Sequence, residues 1–200
     1  MNKAWELNQK IEKCLETYTT EKVEPYFRSL ITGDSRDVEY YRETHDAISY
    51  PKGIYRYLAC AVKVLKPKTI VEIGADKGVS ALAMASELPK GGKIYSLDMR
   101  NGWEHVPPSV KNIIKLHGDS RDLSLYGNLA LDTVDLWFID GEHSDKIVRS
   151  EIETYSPYWR EGTVLLFDDI DLYYGIWSDI KHDRYESREI HGQNFGVVVI

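Results

Sequence analysis

Several apolar runs of this chain end in a glycine or an aspartate, and these polar ends are the first residues whose placement suggests chemistry. The runs TIVEIG, KIYSLD, NIIKLHGD, VDLWFID and TVLLFD end at Gly74, Asp98, Asp119, Asp140 and Asp168. In open parallel sheets, ligands bind outside the carboxyl ends of the strands. If the runs are parallel strands, we expect these five residues to line one crevice.

A cluster of three carboxylates is predicted at two of these ends, formed by Asp140, Asp168 and Asp169. Carboxylates at neighbouring strand ends repel one another unless a hard cation that prefers oxygen ligands neutralises them. The pattern therefore predicts a Mg²⁺ site. The alternative is that Asp168 and Asp169 cap the following helix while Asp140 lies in a turn.

His143 follows Asp140 by three residues, close enough in a tight loop to face the same crevice. A neutral imidazole near pH 7 accepts a proton from a hydroxyl group, so His143 is the candidate general base. The alternative is an exposed or structural histidine.

A glycine-containing loop, VEIGADKGVS, spans residues 71–80 at the junction of a predicted strand and a predicted helix. Glycines there let the backbone approach a ligand at the helix N-terminus, which favours a cofactor loop over a purely structural turn. The spacing of Gly74 and Gly78 departs from the dinucleotide fingerprint G-x-G-x-x-G, which disfavours nicotinamide and flavin cofactors.

Two further strand ends suit a nucleoside. Asp98 follows Gly78 by about 20 residues, the spacing at which an acidic side chain accepts hydrogen bonds from ribose hydroxyls. After the next strand, Asp119 and Ser120 are placed to meet an adenine amino group. Each of these three residues has the alternative role of a helix cap or turn residue.

The elements that must position these residues form one α/β domain. Apolar strands alternate with helices from Pro51 onward, which predicts a Rossmann-like, doubly wound, mostly parallel seven-stranded sheet over residues 51–200. The short link HGQN between the last two strands favours a hairpin, and hence an antiparallel last strand. Residues 1–50 are helical and aromatic-rich, with a first helix around residues 5–15 and a second within 37–49, and we expect them to form an N-terminal lid segment.

Composition narrows the functional classes. The chain has 200 residues, a net charge of -7 and a pI near 5.4, which favours one domain and disfavours nucleic acid as a partner. Cys14 and Cys60 support neither a disulfide framework nor a zinc site, so a cytoplasmic location is expected. An export signal and a membrane span are not expected.

The segments VEIGADKG, YSLD, HGDS and FIDGEHS occur in an order that resembles the class I S-adenosylmethionine-dependent methyltransferases. FIDGEHS followed by LLFDDI resembles the cation-dependent O-methyltransferases, which include catechol and macrolide-sugar enzymes. A histidine at position 143 leans towards the sugar-type branch, because catechol O-methyltransferase has lysine there.

The resemblance implies S-adenosylmethionine and Mg²⁺ as cofactors, with Asp140, Asp168 and Asp169 as metal ligands and Glu72 facing the methionine amino group. The implied cofactor-binding residues are Glu72, Gly74, Ala75, Gly78, Ser80, Asp98, Asp119, Ser120 and Asp140.

Mg²⁺-assisted O-methylation of a small-molecule hydroxyl, with His143 and Asp140 as catalytic residues, is therefore the predicted activity. Three alternatives stay open: N-methylation on the same fold, a hydroxylase-like reaction, and a cofactor-binding subunit without catalysis. The acceptor is not specified by the sequence, and the oligomeric state stays open, with a homodimer through the N-terminal helices as one option.

Overall fold

The computed structural model describes residues 2–19, 53–103, 106–190 and 193–200. The expected helix within 37–49, and most of the expected lid segment 1–50, lie outside these residues. The described helices are α1 (Lys3–Thr17), α2 (Ile54–Leu65), α3 (Val79–Ser86), α4 (Asp145–Tyr155) and α5 (Tyr174–Asp179). The strands are β1 (Thr69–Ile73), β2 (Lys93–Asp98), β3 (Ile113–His117), β4 (Leu136–Ile139), β5 (Val164–Phe167), β6 (Asp183–Ile190) and β7 (Gln193–Val199).

The seven strands form one sheet in the order β3-β2-β1-β4-β5-β7-β6. The first five strands along the chain pair in parallel, whereas β7 is antiparallel to both β5 and β6. The predicted fold class and the antiparallel last strand are therefore confirmed. The order reverses direction between β1 and β4, which is where a doubly wound sheet opens a binding crevice.

Apolar residues cover both faces of the sheet. Alternate strand residues, such as Ile70 and Phe138, pack with α1, α2 and α3 on one face. Their neighbours Val71 and Trp137 pack with α4 and α5 on the other. Strands buried on both faces read as continuous apolar runs, which explains why they were visible in the sequence.

The first helix packs against the body of the domain. Asn2 caps α1 by accepting a hydrogen bond from the Trp5 backbone N–H, and its side-chain amide donates to the carbonyl of Arg184 on β6. Buried residues of α1, including Ile11, join the core on the α2 side of the sheet. None of the helices within the described ranges combines the length and apolar character that crossing a lipid bilayer requires.

Candidate active site

A cavity of about 830 Å³ opens at the carboxyl ends of β1 to β4. Seven of the predicted site residues line it: Gly74, Ala75, Ser80, Asp98, Asp119, Ser120 and Asp140. The remaining predicted residues, all of them described, stand outside this lining: Glu72, Gly78, His143, Asp168 and Asp169. The topology thus brings most of the residues that the strand ends suggested to one crevice.

The loop after β1 is held between the end of β2 and the loop after β4. The Gly74 N–H donates to the Leu97 carbonyl at 2.9 Å, and the Asp140 N–H donates to the Ile73 carbonyl at 2.8 Å. Gly74 has φ +88°, and a Cβ built there would lie 2.8 Å from the Gly141 Cα and closer still to the Asp140 carbonyl oxygen. Glycine is required at 74 because the loop after β4 passes directly over it.

Gly78 serves a different contact. It also has a positive φ, +85°, and it is the N-cap of α3. A Cβ there would stand 2.5 Å from Val106 Cγ2 and 3.3 Å from Trp103 Cδ1. The absence of a side chain therefore lets the segment around Trp103 pack onto the start of α3.

The Asp98 carboxylate anchors the loop after β1. Its Oδ2 accepts hydrogen bonds from the backbone N–H groups of Ala75 (3.0 Å) and Asp76 (2.8 Å), and its Oδ1 accepts from the Arg100 N–H at 2.6 Å. Asp98 also lines the cavity. The Asp98 side chain thus holds the loop after β1 in position and places a carboxylate beside the cavity.

Glu72 is fully buried behind the loop. Its Oε1 accepts from the Ser80 hydroxyl at 2.5 Å and its Oε2 accepts from the Ser96 hydroxyl, which also accepts from the Trp103 indole N–H at 2.7 Å. Burial raises the pKa of Glu72 to about 7, although the two hydroxyls partly oppose the shift. In this arrangement Glu72 connects β1, β2 and α3, and both of its oxygens are engaged by protein groups.

Asp119 is engaged by its neighbour Arg121. The guanidinium donates to Oδ1 at 2.8 Å and to Oδ2 at 2.5 Å, and the Arg121 backbone N–H also donates to Oδ1 at 2.9 Å. These hydrogen bonds lower the pKa of Asp119 to about 2. Asp119 is therefore an ionised, partly exposed carboxylate at the rim of the cavity.

Ser120 leads to a residue that the sequence analysis missed. Its hydroxyl donates to Glu151 Oε1 at 2.6 Å, and its carbonyl accepts from the Tyr155 hydroxyl. Glu151 lines the cavity but is only 2% exposed, and burial raises its pKa. The signal was present in the sequence, because Val148, Glu151 and Tyr155 are spaced as one buried face of α4, where a carboxylate is unusual.

His143 lies between two of the predicted carboxylates. Its Nε2 is 3.3 Å from Asp140 Oδ1, and its Nδ1 is 3.2 Å from Asp169 Oδ2. The hydrogen bond with Asp140 raises the pKa of His143. The pKa of Asp140 is raised by burial against the opposing effect of His143, and burial also raises the pKa of Asp169. The histidine and two aspartates from different loops form one group.

Asp168 completes the acidic cluster. It is buried, its Oδ1 accepts from the Asp169 N–H at 3.1 Å, and its carbonyl accepts from the Tyr173 hydroxyl. Burial, together with the charges of Asp140 and Asp169, raises the pKa of Asp168 to about 8. Because a raised pKa marks a carboxylate without enough compensating positive charge, the cluster is electrostatically suited to a cation.

The chemistry of the donor set fits Mg²⁺, which prefers carboxylate oxygens. Within the described ranges, however, no group of three or more His, Cys, Asp or Glu residues is arranged around a common metal position. His143 lies between Asp140 and Asp169 instead. The described side chains thus include the ligand types that bind Mg²⁺, but they are not arranged around one metal position.

Two curated O-methyltransferases are similar to part of this chain. Catechol O-methyltransferase of Mus musculus is 25% identical over an alignment of 118 residues, and the match covers 54% of this chain and 44% of that protein. The probable caffeoyl-CoA O-methyltransferase 3 of Dictyostelium discoideum is 27% identical over an alignment of 144 residues, and the match covers 64% of this chain and 53% of that protein. The chain spans about half the length of these curated relatives.

Solved structures share the fold over most of the chain. The O-methyltransferase of Bacillus cereus in complex with S-adenosylhomocysteine (SAH) has a TM-score of 0.60 at 18% identity, covering 93% of this chain and 100% of that one. The O-methyltransferase TomG of Streptomyces achromogenes, in complex with S-adenosylmethionine, has a TM-score of 0.58 at 16% identity, covering 93% and 98%. At these identities the likeness shows a common fold.

The family itself is identified by sequence. The profile of the methyltransferase domain family matches residues 71–170, half of the chain, from β1 to the residues just after β5. The match includes the loop after β1, the strand ends that line the cavity, and the His143 group. The resemblance drawn from the sequence motifs is thereby confirmed, and the chain belongs to the methyltransferase domain family.

Proposed function

We propose that this chain binds S-adenosylmethionine in the cavity at the carboxyl ends of β1 to β4 and transfers its methyl group to a hydroxyl oxygen of a small molecule. The observation that carries the proposal is that residues suited to bind a nucleoside and a candidate general base lie at the same crevice. The loop after β1, Asp98 and Ser120 line the cavity, and Asp140, which also lines it, contacts His143. The O-methyltransferase names of the relatives support this acceptor class.

Each part of the crevice has a role in the proposal. The loop after β1 receives the methionine portion, and Asp98 accepts hydrogen bonds from the ribose hydroxyls. The acceptor lies near His143, which removes its proton. The acceptor oxygen then attacks the methyl carbon and the carbon–sulfur bond breaks, so that the sulfonium becomes a neutral thioether and the proton resides on His143.

His143 is oriented for this step by its two aspartates. Because both ring nitrogens face carboxylates, an acceptor hydroxyl must replace one of these partners before the imidazole can take its proton. The other aspartate keeps the ring in place and stabilises the imidazolium that forms. The acceptor thus completes the catalytic group on binding.

We include Mg²⁺ in the proposal as the cofactor that Asp140, Asp168 and Asp169 would hold. The bound cation would lower the pKa of the acceptor hydroxyl and fix its direction. The buried Asp168, with its raised pKa, is the observation that favours a cation here.

The test begins with calorimetric titration of S-adenosylmethionine with and without Mg²⁺. It continues with mass-spectrometric detection of methylated products from panels of catechols, sugars and amines, run in parallel with excess EDTA. Methylated hydroxyl products that require Mg²⁺ are expected. Failure to bind the cofactor would overturn the proposal, methylation of amines alone would change the acceptor class, and undiminished transfer in EDTA would remove the metal.

A further inference from the structure

Glu151 carries a carboxylate oxygen that the described residues leave without a partner. Its Oε1 accepts from the Ser120 hydroxyl, but its Oε2 is buried and has no hydrogen-bond partner in the part of the chain that the structure describes. A buried polar atom without a partner is costly, and a carboxylate oxygen more so than a neutral group. Since Glu151 lines the cavity, a bound ligand is the natural source of the missing donor.

Glu151 lies at the cavity wall beside Gly141, which also lines the cavity. Gly141, at the carboxyl end of β4, lies over the carboxylate, and a Cβ built there would be 3.3 Å from Oε1 and 3.9 Å from Oε2. A side chain at 141 would narrow the approach to the carboxylate. The carboxylate lies at the cavity wall, next to the loop after β3.

The position within the sheet indicates which part of the cofactor reaches Glu151. The order β3-β2-β1-β4 places the loop after β1 in the centre of the crevice, Asp98 one strand further out, and Ser120 at the end of the edge strand β3. A cofactor with its methionine portion at β1 and its ribose at Asp98 extends its base towards Ser120 and Glu151.

We propose that Glu151 accepts a hydrogen bond from the exocyclic amino group of the cofactor's adenine and thereby selects adenine over 6-oxopurines. This inference rests on the cofactor function proposed above. Burial raises the pKa of Glu151, but the Ser120 hydroxyl and the positive charge of Arg121 oppose that shift, and a donated hydrogen bond from a ligand would favour the ionised form further. When ionised, the carboxylate only accepts hydrogen bonds, so it suits an amino group and opposes a carbonyl at the same position. Asp119, the acceptor expected from the sequence, already receives hydrogen bonds on both oxygens from Arg121.

The experiment compares two ligands by calorimetry, SAH and its inosine counterpart, S-inosylhomocysteine. We expect wild-type protein to bind the adenine ligand at least about tenfold more tightly, because the 6-oxo group would face the carboxylate. In Glu151→Gln the side-chain amide turns its NH₂ towards the 6-oxo group, so the preference should collapse or reverse. Glu153→Gln, an exposed change on the same helix, is the matched control and should keep the wild-type ratio.

Several results would overturn the inference. Equal binding of the two ligands by wild-type protein would do so, as would an unchanged ratio in Glu151→Gln, or a shifted ratio in Asp119→Asn instead. If Glu151→Gln does not fold, a third ligand decides, the analogue of SAH in which unsubstituted purine replaces adenine. Affinity for this analogue at least about tenfold weaker than for SAH, in both wild type and Asp119→Asn, supports Glu151. A smaller loss of affinity overturns the inference. Wild-type protein that binds neither SAH nor its analogues overturns the cofactor function as well, whereas tight SAH binding without base preference overturns this inference alone.

Discussion

The backbone of Asp140 passes so close to Gly74 that any side chain at position 74 would overlap its carbonyl oxygen. The loop after β1, which we assign to the cofactor, and the loop after β4, which carries Asp140 and His143, are therefore packed directly on each other. A change in one loop is expected to disturb the other.

Replacing Gly74 with alanine should therefore lower both stability and cofactor affinity. Gly91→Ala is the matched control, because Gly91 also has a positive φ, +83°, but a Cβ there would meet nothing within 4 Å. Gly91→Ala should cost about 1 to 2 kcal/mol of unfolding free energy from backbone strain alone. Gly74→Ala should cost about 2 kcal/mol more from overlap with Asp140, measured by urea unfolding. Equal losses in the two variants would show that the contact with Asp140 relaxes easily.

Asp98→Ala should weaken S-adenosylmethionine binding by about 1.5 to 3 kcal/mol, the range for hydrogen bonds to charged groups. The variant loses the proposed ribose contact and also the acceptor for the Ala75 and Asp76 N–H groups. Asp122→Ala is the control, since Asp122 caps the turn at Ser124 in a similar way but does not line the cavity. Calorimetry should show an affinity loss in the first variant only, and unchanged affinity in Asp98→Ala would refute the ribose assignment.

His143→Ala should reduce turnover by roughly 10² to 10⁴ while cofactor affinity stays nearly unchanged, because the side chain acts on the acceptor proton. Single-turnover kinetics with S-adenosylmethionine and a responsive acceptor would measure the effect. The exposed His182, changed to alanine in parallel, should leave turnover as it is. Turnover that barely changes in His143→Ala would exclude this histidine as the base.

Asp168→Asn keeps the shape of the side chain but removes a carboxyl group that could ionise to hold a cation. Mg²⁺ affinity should fall and transfer should be lost, whereas S-adenosylmethionine binding should be largely spared. The exposed Asp132→Asn provides the comparison for a lost carboxylate elsewhere. Metal titration by calorimetry separates the two, and wild-type Mg²⁺ affinity in Asp168→Asn would contradict the ligand assignment.

Glu72 should make stability depend on pH. Its pKa rises from an ordinary 4.5 to about 7 in the folded state, because burial disfavours the charged form. The folded state therefore binds this proton more tightly than the unfolded state. The resulting contribution to the free energy of unfolding is fully present below about pH 4.5 and is lost as pH rises through about 7. The total change is on the order of 3 kcal/mol.

The check is urea unfolding of wild type and Glu72→Gln between pH 5 and 7.5. The glutamine variant should lose less unfolding free energy as pH rises, because it has no proton to release. Glu16→Gln, an exposed change on α1, should retain the wild-type slope. Parallel profiles for wild type and Glu72→Gln would show that the carboxyl group titrates near its ordinary pKa.

Much of the fold was readable from local patterns. The runs ending at Gly74, Asp98 and Asp140 are largely buried, so each appears as a mostly apolar segment with a polar end. Parallel strands place their carboxyl ends at one edge, and the crevice followed from that rule. The hairpin of β6 and β7 was equally local, although its insertion beside β5 was not, because strand order depends on pairing between distant segments.

The sequence by itself determined which residue types stand at the strand ends, and with them the methyltransferase family. Only the tertiary structure decided which partners those residues take. His143 meets Asp169 across 26 positions of sequence because β4 and β5 pair in parallel and end side by side. Glu151 meets Ser120 across 31 positions because α4 packs back over the sheet. Spacing along a chain fixes the face of a helix or strand on which a side chain lies, whereas the contacts of that face depend on packing between elements far apart in sequence.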